Sequence, residues 1–122
     1  MPASLCVILR DDGLRRGVAE TLRRLGFSVH PFHGGAAFLL SEAARTCEVI
    51  VTEFRLTGIT LPGLRTALAG EGLYVPIVLV VHPDDSEAQH LVLDPLVETI
   101  AADAPLDAFV PAVRAVLARR TR

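Results

Sequence analysis

The chain contains no lysine: all twelve of its basic residues are arginine. Any mechanism that needs a lysine ammonium is closed to it. Aromatic residues are scarce, at 5% against 51% hydrophobic overall, so the core must be built from Leu, Val, Ile and Ala. Two cysteines, Cys6 and Cys47, make no disulfide framework, and both read as buried thiols. The net charge of −2 offers no positive field for nucleic acid. No apolar run is long enough to span a bilayer. The start, Met1-Pro2-Ala3-Ser4, lacks a charged lead and a long apolar core, so a cytoplasmic protein is expected. Gly34-Gly35 has neither the spacing nor the Lys-Ser/Thr end of a phosphate loop. No Ser-His-Asp or Cys-His arrangement can be argued from spacing, and no enzyme is expected.

What is present is alternation. The 122 residues suit a single domain, 1–122, and a domain of that size buries roughly two thirds of its unfolded surface. Leu5–Leu9 reads as a first strand. Asp12 reads as the N-cap of a helix striped by Leu14, Val18, Leu22 and Leu25, with Gly26 ending it. Phe27–His30 is a second strand, and Gly34-Gly35 opens a helix through Ala37, Leu40 and Ala44. Val49–Val51, three β-branched residues, suits a strand covered on both faces, with Glu53 in the polar turn beyond it. Pro62 starts a third helix that stops at Gly70 or Gly72. Pro76–Val81 is the clearest strand, and Asp84–Leu93 can form a helix closed by Pro95. Val97–Ala101 is a fifth strand, and Asp107 onward is a last helix with Pro111 near its first turn. Strand and helix alternating five times predict an α/β fold: three layers, doubly wound, with a five-stranded parallel sheet in the order 2-1-3-4-5. The basic end Ala118–Arg122 reads as a helix C-terminus or as the stub of a join.

Val7-Ile8-Leu9-Arg10-Asp11-Asp12, Val49 to Gly58, Pro76 to His82 and Ala104-Pro105-Leu106 together resemble the receiver domain of two-component response regulators, a flavodoxin-like fold. The resemblance covers nearly the whole chain. It implies an acidic pair after strand one, a phosphate-accepting Asp ending strand three, a hydroxyl ending strand four, and a lysine after strand five. It also implies signalling with a histidine kinase or an effector. Here the acceptor position holds Glu53. The acidic-pair positions hold Arg10 and Asp11, with Asp12 next. The hydroxyl position holds Val81 and the lysine position Ala104. The aromatic position of strand five falls on or near Ala101. This pattern resembles a degenerate receiver, a pseudo-receiver.

Phosphoryl transfer to a carboxylate is positioning plus charge neutralisation. Val81 donates nothing, Ala104 carries no charge, and Arg10 puts a cation where a metal would sit. Glu53 reaches one methylene further than Asp, and a displacement of about 1 Å can cost about 100-fold in rate. Phosphorylation of Glu53 is therefore not expected. Mg²⁺ is possible but not expected as a cofactor. Strands one and three are neighbours in this fold, so Arg10 and Glu53 are expected to pair, for under ~1 kcal/mol if exposed. Asp11, Asp12, Glu53 and His82 share one sheet edge, which leaves a metal-dependent binding or enzymatic site as the alternative reading. His30-Pro31-Phe32-His33 has a spacing sometimes seen in metal sites, with no partner Cys.

A module without phosphate chemistry must act by contact. The run from Leu91 to Val97 holds six apolar residues in seven, counting Pro95, more than one helical stripe can hide. An interface is expected there, through Leu91, Leu93, Leu96 and Phe109, either with a protein partner or with a second copy in a homodimer. Nucleic acid and membrane are not expected partners of this chain alone.

Overall fold

The computed structural model describes residues 2–85 and 94–120, with the side chain of the last of these left aside. Each apolar run forms the strand that its composition suits. Ser4–Ile8 (β1), Ser28–Phe32 (β2), Val49–Glu53 (β3), Ile77–Val81 (β6) and Val97–Ala101 (β7) form one sheet in the order β2-β1-β3-β6-β7. All four pairings are parallel. This is the expected order 2-1-3-4-5. The strand numbers differ because a small hairpin, Arg55–Leu56 (β4) with Ile59–Thr60 (β5), lies between the third and fourth long strands.

The helices are Asp12–Arg24 (α1), Gly35–Leu39 (α2), Ala43–Thr46 (α3), Leu61–Ala69 (α4) and Phe109–Arg120 (α5). A 3₁₀ turn, Leu106–Ala108, leads into α5. Alternate strand residues feed two cores. Cys6, Ile8, Ile50 and Leu79 pack with Phe38, Leu61, Leu64 and Leu68 from α2 and α4. Leu5, Val7, Val49, Val51, Val78 and Val80 pack with Val18 and Leu22 of α1 and Phe109, Val113 and Val116 of α5. Every residue of β3 is buried, which is why its sequence shows no polar alternation.

Three expectations are corrected, and one element is new. The N-cap of α1 is Asp11, not Asp12: its extended backbone lets Oδ2 accept from the Leu14 N–H at 2.7 Å. Asp12 is the first helical residue and pairs with Arg15. The helix predicted through Ala37, Leu40 and Ala44 is two helices with a break at 40–42. Ser41 Oγ donates to the Phe38 carbonyl at 2.6 Å and accepts from the Ala44 N–H at 3.3 Å, so the serine replaces helical bonding there. Leu40 is left 88% exposed. The hairpin β4–β5 was not anticipated; a run of two residues is too short to show a period. Finally, Phe109 is fully buried against the sheet, so it is core and not interface. The predicted helix Asp84–Leu93 lies largely outside the described residues, and so do Leu91 and Leu93.

Cys6 and Cys47 are buried and form no disulfide, as expected. Hydrogen bonding with Cys47 and burial push the Cys6 thiol far above the ordinary range, which leaves it unreactive at neutral pH.

Candidate functional site

The site lies where β1, β3 and β6 end side by side, the edge at which open parallel sheets place their chemistry. Glu53 closes β3. Its backbone is held in register with Val80 of β6, and the strand before it is apolar, so the carboxylate is carried into a dry position, 3% exposed. A buried carboxylate has to be met by donors. Three contacts meet it. The Arg10 backbone N–H donates to Oε2 at 2.6 Å, the Arg10 guanidinium lies 3.4 Å from Oε1, and His82 Nε2 lies 2.9 Å from the same Oε1. An ionised carboxylate only accepts, so a hydrogen bond between Glu53 and His82 requires the hydrogen on His82 Nε2. The two partner side chains stay in reach of water: that of Arg10 is 50% exposed and that of His82 36%.

The Arg10–Glu53 pair is thus present, but it is not a surface pair, because its acid is buried. The other sequence-predicted residues do not join it. The Asp11 carboxylate caps α1. The Asp12 carboxyl lies below its usual range because the Arg15 guanidinium bonds it. Val81 ends β6, half-buried, in register with Ala101. Ala104 sits in the turn after β7, its N–H on the Ala101 carbonyl at 3.1 Å. Neither supplies a side-chain donor. Of the four residues in the metal reading, the edge brings together only Glu53 and His82. Among the described residues no three His, Cys, Asp or Glu side chains converge as metal ligands. His30 and His33 are both exposed on and beyond the edge strand β2.

Sequence reasoning placed His82 on the correct edge but did not pair it with Glu53, and it missed the Arg10 backbone donor. The signal was the register. β1 and β6 flank β3, so residues one or two steps past their ends must converge on whatever ends β3.

Leu96, of the expected interface, is half-buried. It borders a groove of about 320 Å³ with Leu64, Leu68, Tyr74 and Ile77 on the α4 side. Next to it, burial alone would raise the Asp94 carboxyl. The Leu96 N–H and the Arg65 guanidinium, at 2.9 and 2.8 Å, outweigh that and hold it below the usual range.

No protein-family model matches the chain, and no curated protein matches it significantly. Solved structures do. The signal receiver domain of an HD domain-containing protein from Pseudomonas fluorescens aligns with a TM-score of 0.83 at 11% identity, over 99% of this chain and 98% of its own. A response regulator receiver protein from Burkholderia phymatum aligns at 0.76 and 19%, over 95% of each chain. A response regulator receiver domain protein from Clostridium thermocellum aligns at 0.76 and 12%, over 98% of each. The fold is that of a response regulator receiver domain. Within the receiver fold, the Glu53 edge is the place that the sequence resemblance marks for the acceptor. The likeness at these identities is one of fold. Among the described residues no helix is long and apolar enough to cross a membrane.

Proposed function

We propose that this chain is a signalling module of receiver fold that works by docking a protein partner, without accepting a phosphoryl group and without catalysing a reaction. The observation that carries the reading is Glu53: only 3% exposed, with both oxygens already hydrogen-bonded by Arg10 and His82. A nucleophilic carboxylate must present a free oxygen to the donor phosphorus with cations poised for the departing charge. Both Glu53 oxygens are already engaged, Val81 and Ala104 bring no donor, and the chain has no lysine to bring one. Mg²⁺ also fits poorly. It demands near-octahedral oxygen ligands, whereas Asp11 is spent on a helix cap and a guanidinium and an imidazole flank the remaining carboxylate. On this reading the partner is a kinase or an effector of a signalling pathway, or a second copy of the chain, and the location is cytoplasmic.

The test is intact mass after incubation with acetyl phosphate and Mg²⁺. The mass is expected to stay unchanged; gain of a single phosphate, lost under mild base, overturns the reading. Sedimentation equilibrium addresses the partner. A wild-type dimer that Leu96→Glu converts to a folded monomer supports self-docking beside the groove, and a wild-type monomer at high micromolar concentration leaves the partner as a different protein.

A further inference from the structure

His82 makes more of the edge than a single contact. Its side chain reaches Glu53 Oε1 at 2.9 Å, which ties it to β3. Its backbone opens a turn that closes on itself twice. The His82 N–H donates to Asp85 Oδ2 at 3.0 Å, and the Asp85 N–H donates to the His82 carbonyl at 3.0 Å. The imidazole contact and the turn at 82–85 thus meet at one residue. On the other side, Glu53 Oε2 receives the Arg10 N–H at 2.6 Å, which holds the link from β1 to α1. One buried carboxylate thus joins two loops that have no bond to each other in sequence. If His82 leaves, Oε1 keeps only the guanidinium at 3.4 Å, in a position that water reaches poorly. The imidazole has somewhere to go, since its side chain is already about a third exposed, at 36%.

We propose that His82 is a positioning residue that, with Glu53, forms a latch holding the turn at 82–85 and the β1–α1 link in one arrangement. The proposal rests on the reading of the chain as a module that works without phosphate. It requires a coupling: loosening His82 must loosen the Arg10 N–H, across the sheet edge, as well as its own turn.

Amide hydrogen exchange of the whole chain, resolved by NMR, tests it. In His82→Ala the amides of Asp85 and Arg10 are expected to exchange about tenfold faster or more, the scale of losing a hydrogen bond to a charged group, while the Val51 amide in the sheet centre is unchanged. In His82→Gln, whose side-chain N–H can occupy nearly the place of Nε2, both amides are expected to return to within about threefold of wild type. The latch is overturned if Asp85 and Arg10 in His82→Ala stay within about twofold of wild type, if Val51 accelerates equally, or if Gln restores nothing. Intact mass of the wild type with acetyl phosphate separates the two ideas. Phosphate uptake by the wild type sinks the phosphate-free reading whatever the exchange data say, and exchange that fails without uptake sinks only the latch.

Discussion

On one face of the sheet, α1 and α5, thirteen and twelve residues long, cover β1, β3 and β6 with Val18, Leu22, Phe109, Val113 and Val116. On the other, α2 and α3 have five and four residues, α4 has nine, and a two-stranded hairpin fills the gap between them. The long helices carry apolar residues at helical spacing, which marks them in the sequence, although at this length they too draw stability from packing on the sheet. The short ones are too brief to be stable alone and exist because Phe38, Ile59, Leu61 and Leu64 meet over the sheet. One face is written in local periodicity; the other is assembled by tertiary contact.

That contrast can be broken by substitution. Phe109→Ala removes a fully buried ring from the long-helix face and should lower unfolding free energy by about 3–5 kcal/mol in urea titration. Phe38→Ala, equally buried, should fall at the lower end of that range, because a helix of five residues can settle into the space that a twelve-residue one cannot. If Phe38→Ala costs more, the short-helix face is the stiffer one and the contrast is reversed. Gly35→Ala comes next. A Cβ at Gly35 would overlap Ile59 Cγ2, so a loss of about 1–3 kcal/mol is expected, lessened in an Ile59→Ala background, which lacks that methyl. Asp11→Ala should cost about 1 kcal/mol through the lost cap of α1, and Asp12→Ala less. Leu40→Glu, at the break between α2 and α3, should change stability by no more than about 0.5 kcal/mol. A larger effect would mean that the break is packed and not open.

The same contrast explains what could be read in advance. Val49–Val51 and Pro76–Val81 announced central strands because burial on both faces leaves only apolar residues. Leu14, Val18 and Leu22 announced α1 because helical period survives over thirteen residues. The break at Ser41 was hidden because its cause is one side chain bonding its own backbone, which leaves no mark on hydrophobic spacing. Choosing Asp11 over Asp12 as the cap needed backbone angles, not residue types, since both are good caps. At the candidate site, Arg10 and Glu53 were legible from strand order alone. Pairing His82 with Glu53 required the register of β3 against β6, which no local pattern encodes.

The outer border of the sheet at β2 has a consequence for assembly. Ser28 and Phe32 turn their backbone groups toward β1, so Val29 and Pro31 turn theirs outward. Pro31 has no N–H to offer, and the Val29 carbonyl already receives the Arg23 guanidinium at 2.8 Å. Both outward positions are blunted, so a further strand cannot add on this side. At the opposite border the outward residues of β7 include Thr99 and Ala101, both exposed. A sheet closed on one flank can be extended only on the other. Copies joined by strand addition would therefore stop at a two-fold pair and could not grow into a fibre.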